Sequence, residues 1–124
     1  MIIGVGIDMI EVDRVTEKIS RDQGFREKVF SVNEILFCES KVNSGENYAA
    51  RFAAKEAFLK ATGQGLALGY NLSDIEVMSD TSGKPSLVLN GSFKQMGSER
   101  NWNRIYVSLS HLKSVACAVV VIEE

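Results

Sequence analysis

The sequence predicts an α+β fold in which an antiparallel sheet packs on a long central helix. Three observations carry this reading. An apolar run of strand length, Ile2 to Ile7, opens the chain. An alanine-rich stretch from about Glu46 to Thr62 is built from strong helix formers. The second half breaks into short apolar or alternating runs divided by turn residues, the pattern of hairpin-linked strands.

In order along the chain, Ile2 to Ile7 reads as a buried first strand, and from Ile10 the period changes. Val12, Val15 and Ile19 fall at helical spacing, and Gly24 ends the pattern. Ser31-x-x-Glu34 is a capping box, so a second helix starts there and runs to about Ser40. Asn43-Ser44-Gly45-Glu46 is a turn that leads into the long helix, which stops at Gly63 and Gly65. Ile75 to Met78 and Ser86 to Leu89 are short strands around the loop Asp80-Thr81-Ser82-Gly83-Lys84-Pro85. Phe93 to Arg100 is a short helix. Arg104 to Leu109 alternates Ile105, Val107 and Leu109 on one face, and a tight turn through Lys113-Ser114 leads to a last strand, Val115 to Ile122.

Length and charge bound the function. With 124 residues the chain is one domain, 1–124, large enough to bury one core. Fourteen Lys and Arg against sixteen Asp and Glu leave a net charge of −2, so the bulk electrostatics give no case for a nucleic-acid binder. Cys38 and Cys117 form no C-x-x-C pair, which excludes a zinc knuckle and suits a reducing compartment. The apolar start meets Asp8 too soon for a signal peptide, and Val115 to Ile122 is far short of the roughly 20 residues that span a bilayer. The expectation is a cytoplasmic protein that engages neither nucleic acid nor membrane.

Gly4-Val5-Gly6-Ile7-Asp8 begins like a dinucleotide fingerprint but has Met9 where the third glycine belongs. Its glycines read instead as sites of close backbone packing. Asp8 then closes an apolar strand, where a carboxylate is either a cap or a ligand. Glu56 shares one helical face with Ala49, Phe52, Ala53 and Lys60. A carboxylate on a small, apolar face is costly unless paired or metal-bound. The plainest pairing is Glu56 with Lys60 at i, i+4; the other reading joins Asp8 and Glu56 in a hard-cation site beside a phosphate. His111, the sole histidine, sits at a strand end as either a surface turn residue or a phosphate contact. Arg14, Lys18 and Arg21 form a basic stripe on the first helix, either a solvated face near Glu17 and Asp22 or a dock for an acidic helix.

Three blocks taken together resemble the short form of holo-acyl-carrier-protein synthase, a 4′-phosphopantetheinyl transferase family. They are Gly4-Val5-Gly6-Ile7-Asp8-Met9-Ile10-Glu11 with Arg14, then Arg51-Phe52-Ala53-Ala54-Lys55-Glu56-Ala57-Phe58-Leu59-Lys60-Ala61, then Val107-Ser108-Leu109-Ser110-His111. The turn Gly83-Lys84-Pro85 matches as well, so the resemblance spans nearly the whole chain, and the second block is its most specific part. It implies a phosphopantetheinyl-transferase-like fold. It also implies a Mg²⁺-dependent transfer of the phosphopantetheine arm of coenzyme A to a serine of an apo acyl carrier protein, in support of fatty acid biosynthesis.

By the same resemblance Asp8 and Glu56 hold the metal and Lys60 meets the coenzyme A diphosphate. On chemical grounds Glu56 and Lys60 are then the catalytic pair: Glu56, directly or through a metal-bound water, is the candidate proton acceptor, and Lys60 can stabilise the leaving bisphosphate. Arg51 and His111 lie near the adenosine 3′-phosphate, and Lys84 and Pro85 near the adenine. Arg14 contacts the acidic helix of the carrier protein, extended by Lys18, Arg21 and Arg26. The family's short form is a homotrimer with each site between two subunits. Leu112 departs from the pattern, which has a small or polar residue after the histidine. Two other readings of the same acids stay open: a coenzyme A-binding adaptor without activity, and a Mg²⁺-dependent phosphohydrolase.

Overall fold

A computed structural model of the chain describes residues 1–21, 24–63 and 70–124. Its elements are β1 (Ile2–Glu11), α1 (Val12–Arg21), α2 (Phe25–Val29), α3 (Val32–Glu39), α4 (Ser44–Thr62), β2 (Ile75–Ser79), β3 (Pro85–Leu89), α5 (Gly91–Glu99), β4 (Arg104–His111) and β5 (Val115–Glu123). A short 3-10 turn, Leu72–Asp74, precedes β2. Asp22 and Gly65, named above, lie outside the described residues.

The expected α+β architecture is present, with the strands divided between two antiparallel sheets. One has the order β1-β5-β4, and the other is the β2-β3 hairpin. Helix α4 lies at the centre. Ala53, Ala57, Phe58 and Leu59 pack with Ala118, Val120 and Ile122 of β5 and with Ile75 and Val77 of β2 in one core. Phe58 meets the edges of Phe93 and Trp102 there, at ring separations of 5.9 and 5.5 Å. Tyr48, Ala49 and Ala50 join Val12, Val15, Phe30 and Ala116 in a second core. A helix buried on nearly every side explains its alanines: small side chains let strands approach from several directions.

The capping box forms as expected. Ser31 Oγ accepts from the Glu34 amide at 3.2 Å, and Glu34 Oε1 accepts from the Ser31 amide at 2.9 Å. Several details differ from expectation, among them the start of α4 at Ser44, inside the segment read as a turn. Strand β1 continues past Ile7 to Glu11, because β5 pairs with it throughout, Asp8 opposite Ala118 and Glu11 opposite Val115. Asp8 therefore sits within the strand rather than closing it. Strand β4 runs on to His111, held by the pairing His111 to Ala116. Helix α2 was not foreseen, since five residues carry too little periodicity to register.

Strand β1 is not buried as expected: it is covered on the α4 side only, and the outer face of the larger sheet is apolar and open. Ile3, Val5, Ile7 and Met9 alternate outward on β1, with Met9 70 % exposed, and Tyr106 of β4 is also exposed. Among the described residues no helix is long and apolar enough to cross a membrane.

Candidate active site

The glycines of β1 set the position of everything around Asp8. A Cβ on Gly6 would collide with the Ala57 carbonyl and one on Gly4 with the Ala61 carbonyl. Strand β1 thus lies directly on the backbone of α4, the close packing the sequence predicts. The side chain two residues beyond Gly6 faces the same way, toward α4. That residue is Asp8. Lys60 Nζ donates to Asp8 Oδ1 at 3.0 Å and to the Ile7 carbonyl at 3.0 Å. The i, i+4 pairing of Lys60 with Glu56 is not formed, because the strand offers Lys60 a carboxylate and a carbonyl together.

Glu56 sits one helical turn before Lys60, half-buried on the same side of α4. Its pKa lies above the ordinary carboxylate value, first through burial and then through the negative charge of Asp8, with Lys60 and Lys18 acting in the opposite sense. Two like charges held together in a half-buried place are relieved by a cation. Asp8 and Glu56 share a pocket of about 470 Å³ with Arg14, Lys18, Phe25 and Phe52. Among the described residues no group of three His, Cys, Asp or Glu side chains converges. Two carboxylates in an open pocket fit a hard divalent ion that takes its remaining ligands from a phosphate and water.

A second pocket, of about 260 Å³, opens on another face of α4. Phe37, Asn47, Arg51, Pro85, Ser108 and His111 are among the residues that line it. Arg51 is buried, its guanidinium carbon 4.1 Å from the centre of the Phe37 ring. Its Nε has no hydrogen-bond partner, and burial moves its pKa down. His111 Nδ1 lies 2.8 Å from Glu46 Oε1. Asp80 Oδ1 accepts from the amides of Ser82 and Lys84 at 2.8 and 2.9 Å and so shapes the loop that delivers Pro85. Lys84 itself is exposed beside this pocket, and Leu112 is exposed as well.

The structure therefore brings the expected residues together as two sets rather than one. Asp8, Glu56 and Lys60 meet on one face of α4; Arg51, Pro85 and His111 meet on the other. The basic stripe divides too. Arg14 and Lys18 border the first pocket. Arg21 pairs with Glu17 at 2.7 Å, and Arg26 pairs with Glu27 at 2.9 Å and with Glu39 at 3.5 Å.

Sequence reasoning missed Lys55. It is fully buried, and its ammonium donates to Glu34 Oε1 at 2.7 Å, to the Leu72 carbonyl at 2.8 Å and to the Ile75 carbonyl at 2.6 Å. Helical spacing places Lys55 one turn from Arg51 and Leu59, on an interior face, but its partners come from elsewhere in the chain.

Paired carboxylates with a lysine, and a buried arginine with a histidine, are donor sets suited to a phosphate ester, one through a cation and the other by direct charge. The comparisons with known proteins give the family. The family model described as the 4′-phosphopantetheinyl transferase superfamily matches residues 4–120. A holo-(acyl-carrier-protein) synthase of Syntrophus aciditrophicus is 44 % identical over 124 residues, covering 99 % of this chain and 97 % of that protein. The crystal structure of the synthase from Neisseria meningitidis superposes with a TM-score of 0.90 at 29 % identity, covering all of both chains. That from Bacillus anthracis, in complex with CoA (3′,5′-ADP), superposes at 0.80 with 35 % identity, covering 98 % of this chain and 96 % of that one. The chain belongs to the 4′-phosphopantetheinyl transferase superfamily.

Proposed function

We propose that this chain is a holo-acyl-carrier-protein synthase. It transfers the 4′-phosphopantetheine group of coenzyme A to a serine of an apo acyl carrier protein, releases adenosine 3′,5′-bisphosphate and supports fatty acid biosynthesis in the cytoplasm. The observation that carries this reading is the meeting of Asp8, Glu56 and Lys60 on one side of α4 in a chain that aligns with such a synthase over 99 % of its residues. The coenzyme A complex of the Bacillus anthracis relative supports the choice of donor.

Asp8 and Glu56 are the residues that would hold Mg²⁺, and the ion, when bound, would neutralise the diphosphate and polarise the attacked phosphorus. The serine oxygen bonds to the phosphorus that carries the pantetheine arm, and the bond from that phosphorus to the bisphosphate breaks. Glu56 accepts the serine proton, directly or through a water. Lys60 Nζ, held at the edge of the pocket by Asp8 and the Ile7 carbonyl, stabilises charge on the departing bisphosphate. Arg51, Pro85 and His111 receive the nucleotide, with Lys84 at the rim. Arg14 and Lys18 face the carrier protein, while Arg21 and Arg26 contribute less because their charges are already paired.

Two half-sites on different faces of one helix, and an uncovered apolar sheet face, support a homotrimer in which one subunit's metal residues meet a neighbour's nucleotide pocket. A heterologous ring also gives β1 a partner for Val5, Ile7 and Met9.

The test is incubation with coenzyme A, Mg²⁺ and an apo carrier protein, read by mass spectrometry. The expected result is a phosphopantetheine mass gain on the carrier with equimolar bisphosphate. Bisphosphate release with an unmodified carrier overturns the reading in favour of a hydrolase, and absence of both products in favour of a binding module.

A further inference from the structure

Glu46 has no place in the site as drawn so far, yet it makes the closest polar contact of the only histidine. It lies in the first turn of α4, far along the chain from His111 at the end of β4. Its Oε1 stands 2.8 Å from His111 Nδ1, with side-chain exposures of 19 % for Glu46 and 31 % for His111. The N-terminus of α4 favours a negative charge there. A carboxylate can only accept, so at this distance the proton must sit on Nδ1. The other ring nitrogen, Nε2, is then the one left for a ligand. His111 lines the second pocket with Arg51, whose buried Nε lacks a partner.

We propose that Glu46 is a positioning residue for coenzyme A: by accepting the Nδ1–H of His111 it fixes the ring's orientation and supports a second proton on Nε2 in the complex, so that Nε2–H donates to a phosphate oxygen of the nucleotide in the pocket beside Arg51. The assignment of that pocket to the nucleotide rests on the function proposed above; the Glu46–His111 coupling does not. A ring fixed in advance loses less freedom when the ligand arrives, so the effect falls on binding of coenzyme A rather than on the chemical step. Glu46 acts only through His111, and the two residues must therefore fail together rather than independently.

The single histidine makes the experiment unambiguous. Nitrogen-15 spectra of the imidazole identify which nitrogen bears the proton, without assignment against other histidines. In spectra recorded on the alkaline side of the imidazole range, the free wild-type protein shows the Nδ1–H tautomer. Glu46→Ala shifts the population toward Nε2–H and raises KM for coenzyme A about tenfold, with kcat changed less than twofold. Glu46→Gln, whose amide can still accept, lies between the two. His111→Ala raises KM by a similar factor, and the double variant adds nothing further.

A wild-type ring in the Nε2–H form overturns the proposal, as does an unchanged KM in Glu46→Ala or a double variant whose losses multiply. If Glu46→Ala fails to fold, Glu46→Gln and the wild-type spectrum still decide it. A wild-type chain that neither binds coenzyme A nor modifies a carrier sinks the proposed function, and the ligand half of this inference with it. Wild-type transfer with no effect of Glu46 sinks the inference alone.

Discussion

Lys55 and Glu56 are neighbours on one helix, and they sit in opposite electrostatic conditions. Lys55 is fully buried and saturated: three donors of one ammonium meet a carboxylate and two carbonyls at 2.6–2.8 Å. Burial pulls its pKa down while Glu34 pulls the other way. Glu34 is itself saturated, accepting also from the amides of Ser31 and Val77. Glu56 is half-buried, accepts no hydrogen bond among the described residues and faces the like charge of Asp8. A buried charge whose every partner is in place has nothing left to offer a ligand. One whose field is unbalanced, and which opens to a pocket, does. The comparison separates a saturated charge from one open to a ligand although the two share a motif and a turn of helix.

The largest effect tests the saturated charge. Lys55 ties α4 to the start of β2 and to the 3-10 turn before it, and through Glu34 to the cap of α3. Removing it leaves the Glu34 carboxylate buried without its cation. Lys55→Met is expected to cost about 3–5 kcal/mol, measured by urea denaturation. Were the loss under about 1 kcal/mol, the pair would not be holding these segments together.

Glu56 should answer in the reverse sense. Its folded pKa is raised, so it favours the folded state in acid, and that contribution disappears as pH climbs through the folded pKa. Above the range where an ordinary carboxylate ionises, and without metal, the group therefore costs the fold stability. Glu56→Gln is therefore expected to unfold at a higher urea concentration than wild type at pH 7 in chelator, with the difference vanishing below pH about 4, where both side chains are neutral. The same variant should lose on the order of 10²–10³-fold in transfer activity. A variant less stable at pH 7 would show that Glu56 is a structural acid like Glu34.

The sequence made the pieces of this comparison unequally legible. The capping box at Ser31 and Glu34, the close-packing glycines and the Ala-rich helix were all readable, because each signal is local. So was the pairing of Asp8 with Glu56, although only as one of two readings. The saturated charge was hidden: Leu72, Ile75 and Val77 come from a distant segment, and helical spacing alone cannot say that Glu34 serves both its cap and Lys55. For Glu46 the reason is similar, since its partner lies across the fold on β4. Strand β1 was underestimated because Asp8 and Glu11 break its apolar run, and only the pairing with β5 carries it on.

The smallest effect extends the saturated-versus-open distinction to the surface. Arg14 borders the Asp8–Glu56 pocket and enters none of the ion pairs among the described residues, whereas Arg21 is held by Glu17 at 2.7 Å. Steering of an acidic carrier protein depends on charge that is not locally cancelled, and it weakens with salt. Arg14→Ala should lower kcat/KM for the carrier about three- to tenfold at low ionic strength and flatten its salt dependence. Arg21→Ala should lower it less than twofold, because the lost charge was already offset by its neighbour one turn away. KM for coenzyme A should change less than KM for the carrier in both, since neither residue lines the Arg51–His111 pocket. Equal losses in the two variants would mean that the carrier reads the whole stripe and that local pairing does not silence a surface cation.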